Sequence, residues 1–261
     1  MKIINYINRF KGYLIAMQVN AVSRIFLRSR RLSPFLDTFA AGGREILSGT
    51  ALFPAKGFYV ADVGAFRGWF TMISSKIVGS DGRVFSFEPN PDNFEILRKV
   101  VLLGGLKNVN IFKLALSDSD GYEYMYLSEY PSMHSLVLKR THRKITVPCM
   151  KLDTVVKLRK IQRLDLIKID VEGAELKVIK GCKRIISEFK PLFSIDINHY
   201  DEEFEEVSAL MREFQYEIRP LFSEAGKFYS IVAYPPHKRS LVSHLINKTR
   251  ALSIIPPEVK P

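Results

Sequence analysis

The sequence predicts an α/β domain with a mostly parallel, twisted sheet flanked by helices and closed by an antiparallel strand pair. Three observations carry this. Short apolar runs rich in β-branched and aromatic residues alternate with stretches of helical periodicity, as crossover connections between parallel strands require. The first run leads through a glycine turn straight into a helical stretch, Val60-Ala61-Asp62-Val63-Gly64-Ala65-Phe66-Arg67-Gly68 and onward from Trp69. The last two runs, Tyr216 to Leu221 and Phe228 to Ala233, read as the closing antiparallel pair.

Taken in order, residues 1–50 form a basic extension. Ile3, Ile7, Phe10, Leu14, Met17, Ala21 and Ile25 recur at spacings of three and four, which places them on one helix face. Lys2, Arg9, Lys11, Arg24, Arg28, Arg30 and Arg31 precede the first acidic residue, Asp37. Such a helix either packs on the core of the domain or lies against an anionic membrane or a partner. A domain over 51–236 follows, with parallel strands expected at Phe58 to Val63, Arg83 to Phe87, Val109 to Leu114, Leu164 to Ile169 and Leu192 to Ile197. Gly121 to Val147 alternates around His134 and Ser135 and reads as an inserted β-hairpin or loop, placed to cover a substrate. From His237 a basic tail runs to the chain end, with Lys238, Arg239, Lys248 and Arg250 among Leu241, Leu245 and Ile246, until Pro256 and Pro257 stop any helix.

Composition narrows the function classes. At 261 residues, 47% hydrophobic and 25% charged, the chain can bury a sizeable core and shows no repeat or low-complexity tract. Its two cysteines, Cys149 and Cys182, form no metal-ligand or redox pattern. No apolar run is long enough to span a bilayer and no secretory signal is visible, so a cytoplasmic location is expected, with the basic ends able to hold the protein at the inner face of a membrane. The net charge of +12 suits an acidic partner.

The glycine turn after the first strand lies where doubly wound sheets bind ligands. Phe66 stands where the pyrophosphate fingerprint GxGxxG has its second glycine, which disfavours a dinucleotide. A smaller anionic group, such as the amino acid end of S-adenosylmethionine, suits Gly64 and Gly68 better, with Asp62 accepting from its ammonium group. The second strand ends in Phe87-Glu88-Pro89-Asn90, where a carboxylate can take both hydroxyls of a ribose; Asn90 also suits a helix N-cap. Ala115-Leu116-Ser117-Asp118 falls at the height of an adenine edge, with Asp118 as acceptor for its amino group, or else it is a simple turn.

The most distinctive stretch is Asp165-Leu166-Ile167-Lys168-Ile169-Asp170-Val171-Glu172-Gly173-Ala174-Glu175, an apolar strand that delivers carboxylates and a lysine to its end. Together with Asp62-Val63-Gly64-Ala65, Gly68, Phe87-Glu88-Pro89-Asn90, Ala115-Leu116-Ser117-Asp118, Leu152-Asp153 and Gly181, it makes the sequence resemble the FkbM family of methyltransferases over roughly Tyr59 to Asn198. The resemblance implies a Rossmann-like class I methyltransferase fold, S-adenosylmethionine as donor, and hydroxyl groups of sugars, polyketides or lipid-linked glycans as acceptors. The chain departs from the family at Phe66, often asparagine there, and at Asp196, often glutamate.

Transfer of a methyl group to oxygen needs an aligned acceptor and a base for its proton. Asp170, Glu172 and His199 are the candidates. Asp170, Asp196 and Asn198 could instead hold Mg²⁺. The expected function is O-methylation of a sugar, glycan or related metabolite. Two alternatives remain open, a catalytically silent scaffold in a glycan or membrane-associated assembly and an RNA methyltransferase. For the second only the cations speak, since no Asn-Pro-Pro-type motif is present, so nucleic acid is not an expected partner.

Overall fold

The computed structural model describes residues 51–252 except 140, 198 and 223–227; the basic extension read at 1–50 and the end of the tail therefore lie outside the described residues. The chain runs β1 (Tyr59–Val63), α1 (Trp69–Val78), β2 (Arg83–Phe87), α2 (Pro91–Leu103), β3 (Val109–Phe112), β4 (Ala115–Leu116), β5 (Gly121–Tyr126), β6 (Lys144–Met150), α3 (Leu152–Leu158), β7 (Leu166–Ile169), α4 (Glu175–Lys180), α5 (Lys183–Glu188), β8 (Leu192–Asp196), α6 (Glu203–Glu213), β9 (Glu217–Phe222), β10 (Phe228–Tyr234) and α7 (Arg239–Leu252).

The main sheet has the order β3-β2-β1-β7-β8-β10-β9, parallel from β3 to β8 and antiparallel at β10 and β9. This is the expected architecture, and its reason is visible in the strands. Leu166 to Ile169 is buried at every position because helices cover both faces. Alternation sends Ala61, Ile167 and Phe193 into one core with α3, α5 and α6. It sends Val60, Leu166 and Leu192 into the other with α1 and α7.

The face covered by α1 carries one polar layer. Ser86, Asp62, Lys168 and Ser194 are partners in register across β2, β1, β7 and β8. Thr71 of α1 sits over this row, with its Oγ1 2.6 Å from Asp62 Oδ2 and 2.7 Å from Ser86 Oγ. A buried polar row of this kind is tolerable because its members bond to one another.

The insertion is the β-hairpin read from the sequence, β5 pairing antiparallel with β6, and it carries a third strand: Ala115 and Leu116 leave the main sheet to pair with Cys149 and Met150 of β6, which gives a separate sheet of order β4-β6-β5. The segment after His237 is, over its described part, a helix of the domain and not a tail: Val242, Leu245 and Ile246 of α7 are buried in the second core. Phe53 N–H also donates to Thr249 Oγ1 at 3.1 Å, tying the start of the domain to this helix. Among the described residues no helix is long and apolar enough to cross a membrane.

Candidate active site

A cleft opens at the carboxyl ends of β1, β2 and β7, where the order of a doubly wound sheet leaves a crevice. Its empty space is ≈ 980 Å³ with the open solvent at its mouth included. Its floor holds Gly64 and Phe66, one wall Glu88, Pro89 and Asn93, and the opposite end Asp170, Val171 and Glu172. Leu114, Leu116, Met125 and Leu136 make an apolar slot beyond Glu88.

The glycine turn has to be glycine at Gly64. Its φ is +75°, and a β-carbon there would fall 1.8 Å from the carbonyl oxygen of Asp170. The turns after β1 and β7 therefore touch backbone to backbone. Lys168 clasps them, its Nζ 3.3 Å from Gly64 O, 3.1 Å from Asp170 Oδ2 and 3.7 Å from Asp62 Oδ1.

Glu88 is oriented by backbone. Phe66 N–H donates to Oε2 at 2.8 Å and Asn90 N–H to Oε1 at 2.9 Å. Each oxygen keeps lone pairs for a further donor. Burial lifts its carboxyl to about 8 against the pull of those two N–H donors.

At the far end, His199 is enclosed by acids. Its N–H donates to Glu203 Oε2 at 2.9 Å, its Nδ1 lies 3.1 Å from the same oxygen and 3.6 Å from Glu175 Oε1, and its Nε2 is 4.0 Å from Glu172 Oε2. Burial alone would depress the imidazole. The hydrogen bond to Glu203 and the charges of Glu175 and Asp170 outweigh it and raise the group to about 10. Burial pushes Glu175 well up, and Asp196 rises to about 8 through burial and the charge of Asp170.

Of the predicted residues, Gly64, Glu88, Asp170 and Glu172 line the cleft together. Others do not. Asp62 is fully buried in the polar row beneath the turn, so its carboxylate serves Thr71 and Lys168 and does not reach the cleft surface. Gly68 is a packing glycine, at φ +91°, where a β-carbon would meet Leu97 Cδ1 at 2.6 Å. Asn90 is the N-cap of α2, its side chain accepting from the N–H groups of Asp92 and Asn93. The departure of β4 into the second sheet turns Ser117 to Glu123 and leaves Asp118 exposed, so neither lines the cleft.

The raised pKa of His199 favours its protonated form, which pairs with the acids around it. Asp170, Glu172 and His199 do bring three potential ligand atoms within 4.8 Å of one another. Asn198 of the expected metal set lies outside the described residues. Sequence reasoning missed Phe66 N–H as a holder of Glu88 and gave no role to His134, which lines the cleft from the insertion.

A family model described as "Methyltransferase FkbM domain" matches residues 62–218, more than half of the chain. The sequence is 31% identical over 125 residues to the "Hexuronic acid methyltransferase AglP" of Haloferax volcanii, covering 46% of this chain and 48% of that protein. It is 26% identical over 155 residues to the "Methyltransferase sdnD" of Sordaria araneosa, covering 47% and 60%. The crystal structure of the methyltransferase FkbM from Methylobacillus flagellatus KT superposes with a TM-score of 0.54 at 17% identity, over 70% of this chain and 45% of that one. The chain thus spans about half the length of the proteins it matches. On the family match and on the fold that carries it, the chain belongs to the FkbM family of S-adenosylmethionine-dependent methyltransferases.

Proposed function

We propose that the protein transfers a methyl group from S-adenosylmethionine to a hydroxyl oxygen of a sugar, glycan or related metabolite. The observation that carries this reading is Glu88, fixed at the cleft wall by two backbone donors with acceptor capacity still free on both oxygens. That arrangement suits the two hydroxyls of a ribose. The apolar slot of Leu114, Leu116 and Met125 beyond it suits a flat base, and the carboxylates of Asp170 and Glu172 at the other end suit the positive charge of a sulfonium ion. The donor supplies an electrophilic methyl group when bound.

The chain's own residues then have two tasks. The turn at Asp170 to Glu172 orients the acceptor hydroxyl, and a carboxylate there takes its proton. Asp170 and Glu172 are the two carboxylates that line this end of the cleft, and Asp170 Oδ2 also accepts from Lys168 at 3.1 Å. A sugar hydroxyl is favoured as acceptor by the hexuronic acid methyltransferase among the relatives.

Titration calorimetry with S-adenosylmethionine and S-adenosylhomocysteine tests the reading. Micromolar binding is expected, and Glu88→Ala should weaken it at least tenfold, since hydrogen bonds to a charged group are worth about 1.5–3 kcal/mol. Hydroxyl donors favour the ionised carboxyl, and without ligand that group titrates at about 8. Affinity should therefore fall as pH is lowered from 8 to 6, by up to about tenfold per unit, and Glu88→Gln should lose that dependence. No binding by a folded sample would overturn the reading and leave a scaffold role in its place.

A further inference from the structure

The inserted segment after β5 is the part of the cleft that the fold does not require, and it is fastened on both sides. Asn93 Nδ2, on the first turn of α2, donates to Pro131 O at 3.1 Å. Ser135 Oγ donates to Glu172 O at 2.6 Å and accepts from the N–H groups of Val137 and Leu138. Ser135 also bridges to Tyr126, beside Met125. Residues 131–136 therefore roof the cleft from the α2 side to the catalytic turn.

Within that roof, Pro131 and Leu136 add to the apolar slot, and Ser132 and His134 bring polar groups to it. The His134 ring has a fixed tautomer. Its Nδ1 accepts from Ser128 N–H at 2.9 Å, which only an unprotonated nitrogen can do. The ring proton is then on Nε2. Burial holds the ring below its ordinary range, with Arg143 adding to burial and Asp92 opposing it, so the neutral form persists. A neutral imidazole with Nδ1 engaged is a hydrogen-bond donor at Nε2 and nothing else.

The position identifies what it meets. With the ribose on Glu88, a purine extends toward Leu114, Leu116 and Met125, and the roof lies over it between Asn93 and Met125. Adenine offers unprotonated ring nitrogens as acceptors. We propose that His134 is a donor-specificity residue, its Nε2–H donating to a ring nitrogen of the adenine of S-adenosylmethionine. The assignment rests on the donor reading of the cleft given above, and it gives the base a partner in place of Asp118, which lies outside.

The test is calorimetry of the full chain with S-adenosylhomocysteine and with its 1-deaza, 3-deaza and 7-deaza analogues, each lacking one ring nitrogen. Wild type should bind one of the three about tenfold more weakly than the parent, as loss of one hydrogen bond requires. His134→Ala should lose about tenfold on the parent and nothing further on that analogue, because the two changes remove the same bond. His134→Gln, which keeps an N–H at similar reach, should stay within about threefold of wild type. Equal binding of all four ligands by wild type overturns the assignment without touching the donor reading. So does a His134→Ala variant that binds the parent normally, or one that shows the full analogue penalty again. Failure of wild type to bind S-adenosylhomocysteine overturns both.

Discussion

Phe66 adopts φ 49°, in the left-handed region, where a β-carbon costs about 1–2 kcal/mol. What it gives in return is its N–H, 2.8 Å from Glu88 Oε2, so the site uses the backbone of this residue. Asparagine, which the family often has here, tolerates that conformation and keeps the N–H. Phe66→Asn should therefore raise the melting temperature by a few degrees, at roughly 2–4 °C per kcal/mol for a domain of this size. It should leave affinity for S-adenosylhomocysteine within about threefold of wild type by calorimetry; a tenfold loss would show that the ring itself meets the ligand. Read from sequence, Phe66 looked only like an obstacle to diphosphate, because side-chain identity says nothing of where an N–H points. For His199 an ordinary imidazole pKa suggests a base, whereas the hydrogen bond to Glu203 one turn on and the charges beside the ring raise its pKa, and of these neighbours Glu203 is the one visible in the local sequence.

At the scale of elements, the central strands β1, β2, β7 and β8 were legible because each is a short apolar run buried at nearly every position, and the closing pair because it lacks a crossover between its members. Of the second sheet the hairpin was legible and the third strand was not. Nothing near Ala115 announces that its partner is Cys149, and that pairing alone decides that Ser117 and Asp118 turn away from the cleft while Ala115 and Leu116 line it. The apolar positions of α7, Leu241, Leu245 and Ile246, were visible among its basic residues, but not that they carry the helix into the core beside β1 and α1. Leu245 is 2% exposed there. Leu245→Ala should cost about 2–5 kcal/mol, the range for a buried leucine with partial collapse of the cavity. Urea unfolding should show this as a lower midpoint at unchanged slope. A cost under about 0.5 kcal/mol would mean that the helix is an appendage after all.

Over the whole molecule, the largest shifts around the cleft share one thermodynamic direction. Glu88 and Asp196 are raised to about 8 and His199 to about 10. An acid whose pKa is higher folded than unfolded keeps a proton that the unfolded chain has lost, so the native state is disfavoured increasingly as pH climbs from the unfolded value of about 4 toward 8. His199 works the same way in its own window: its contribution is complete below about 6.5 and disappears as pH rises toward 10. Two groups oppose this direction: Glu203 is lowered by its bond to His199, with its contribution already complete at neutral pH, and His134 is lowered by burial, which costs stability only below about 6.5. Without ligand, the protein should therefore melt roughly 5 °C or more higher at pH 6 than at pH 9 in scanning calorimetry. Saturating S-adenosylhomocysteine should narrow that gap, because hydroxyls donated to Glu88 favour its ionised form and bind more tightly at the higher pH. A ligand-free melting temperature that rises from pH 6 to pH 9 would show that these carboxyls are ionised in the folded protein, and with it that the cleft is far wetter than its packing implies.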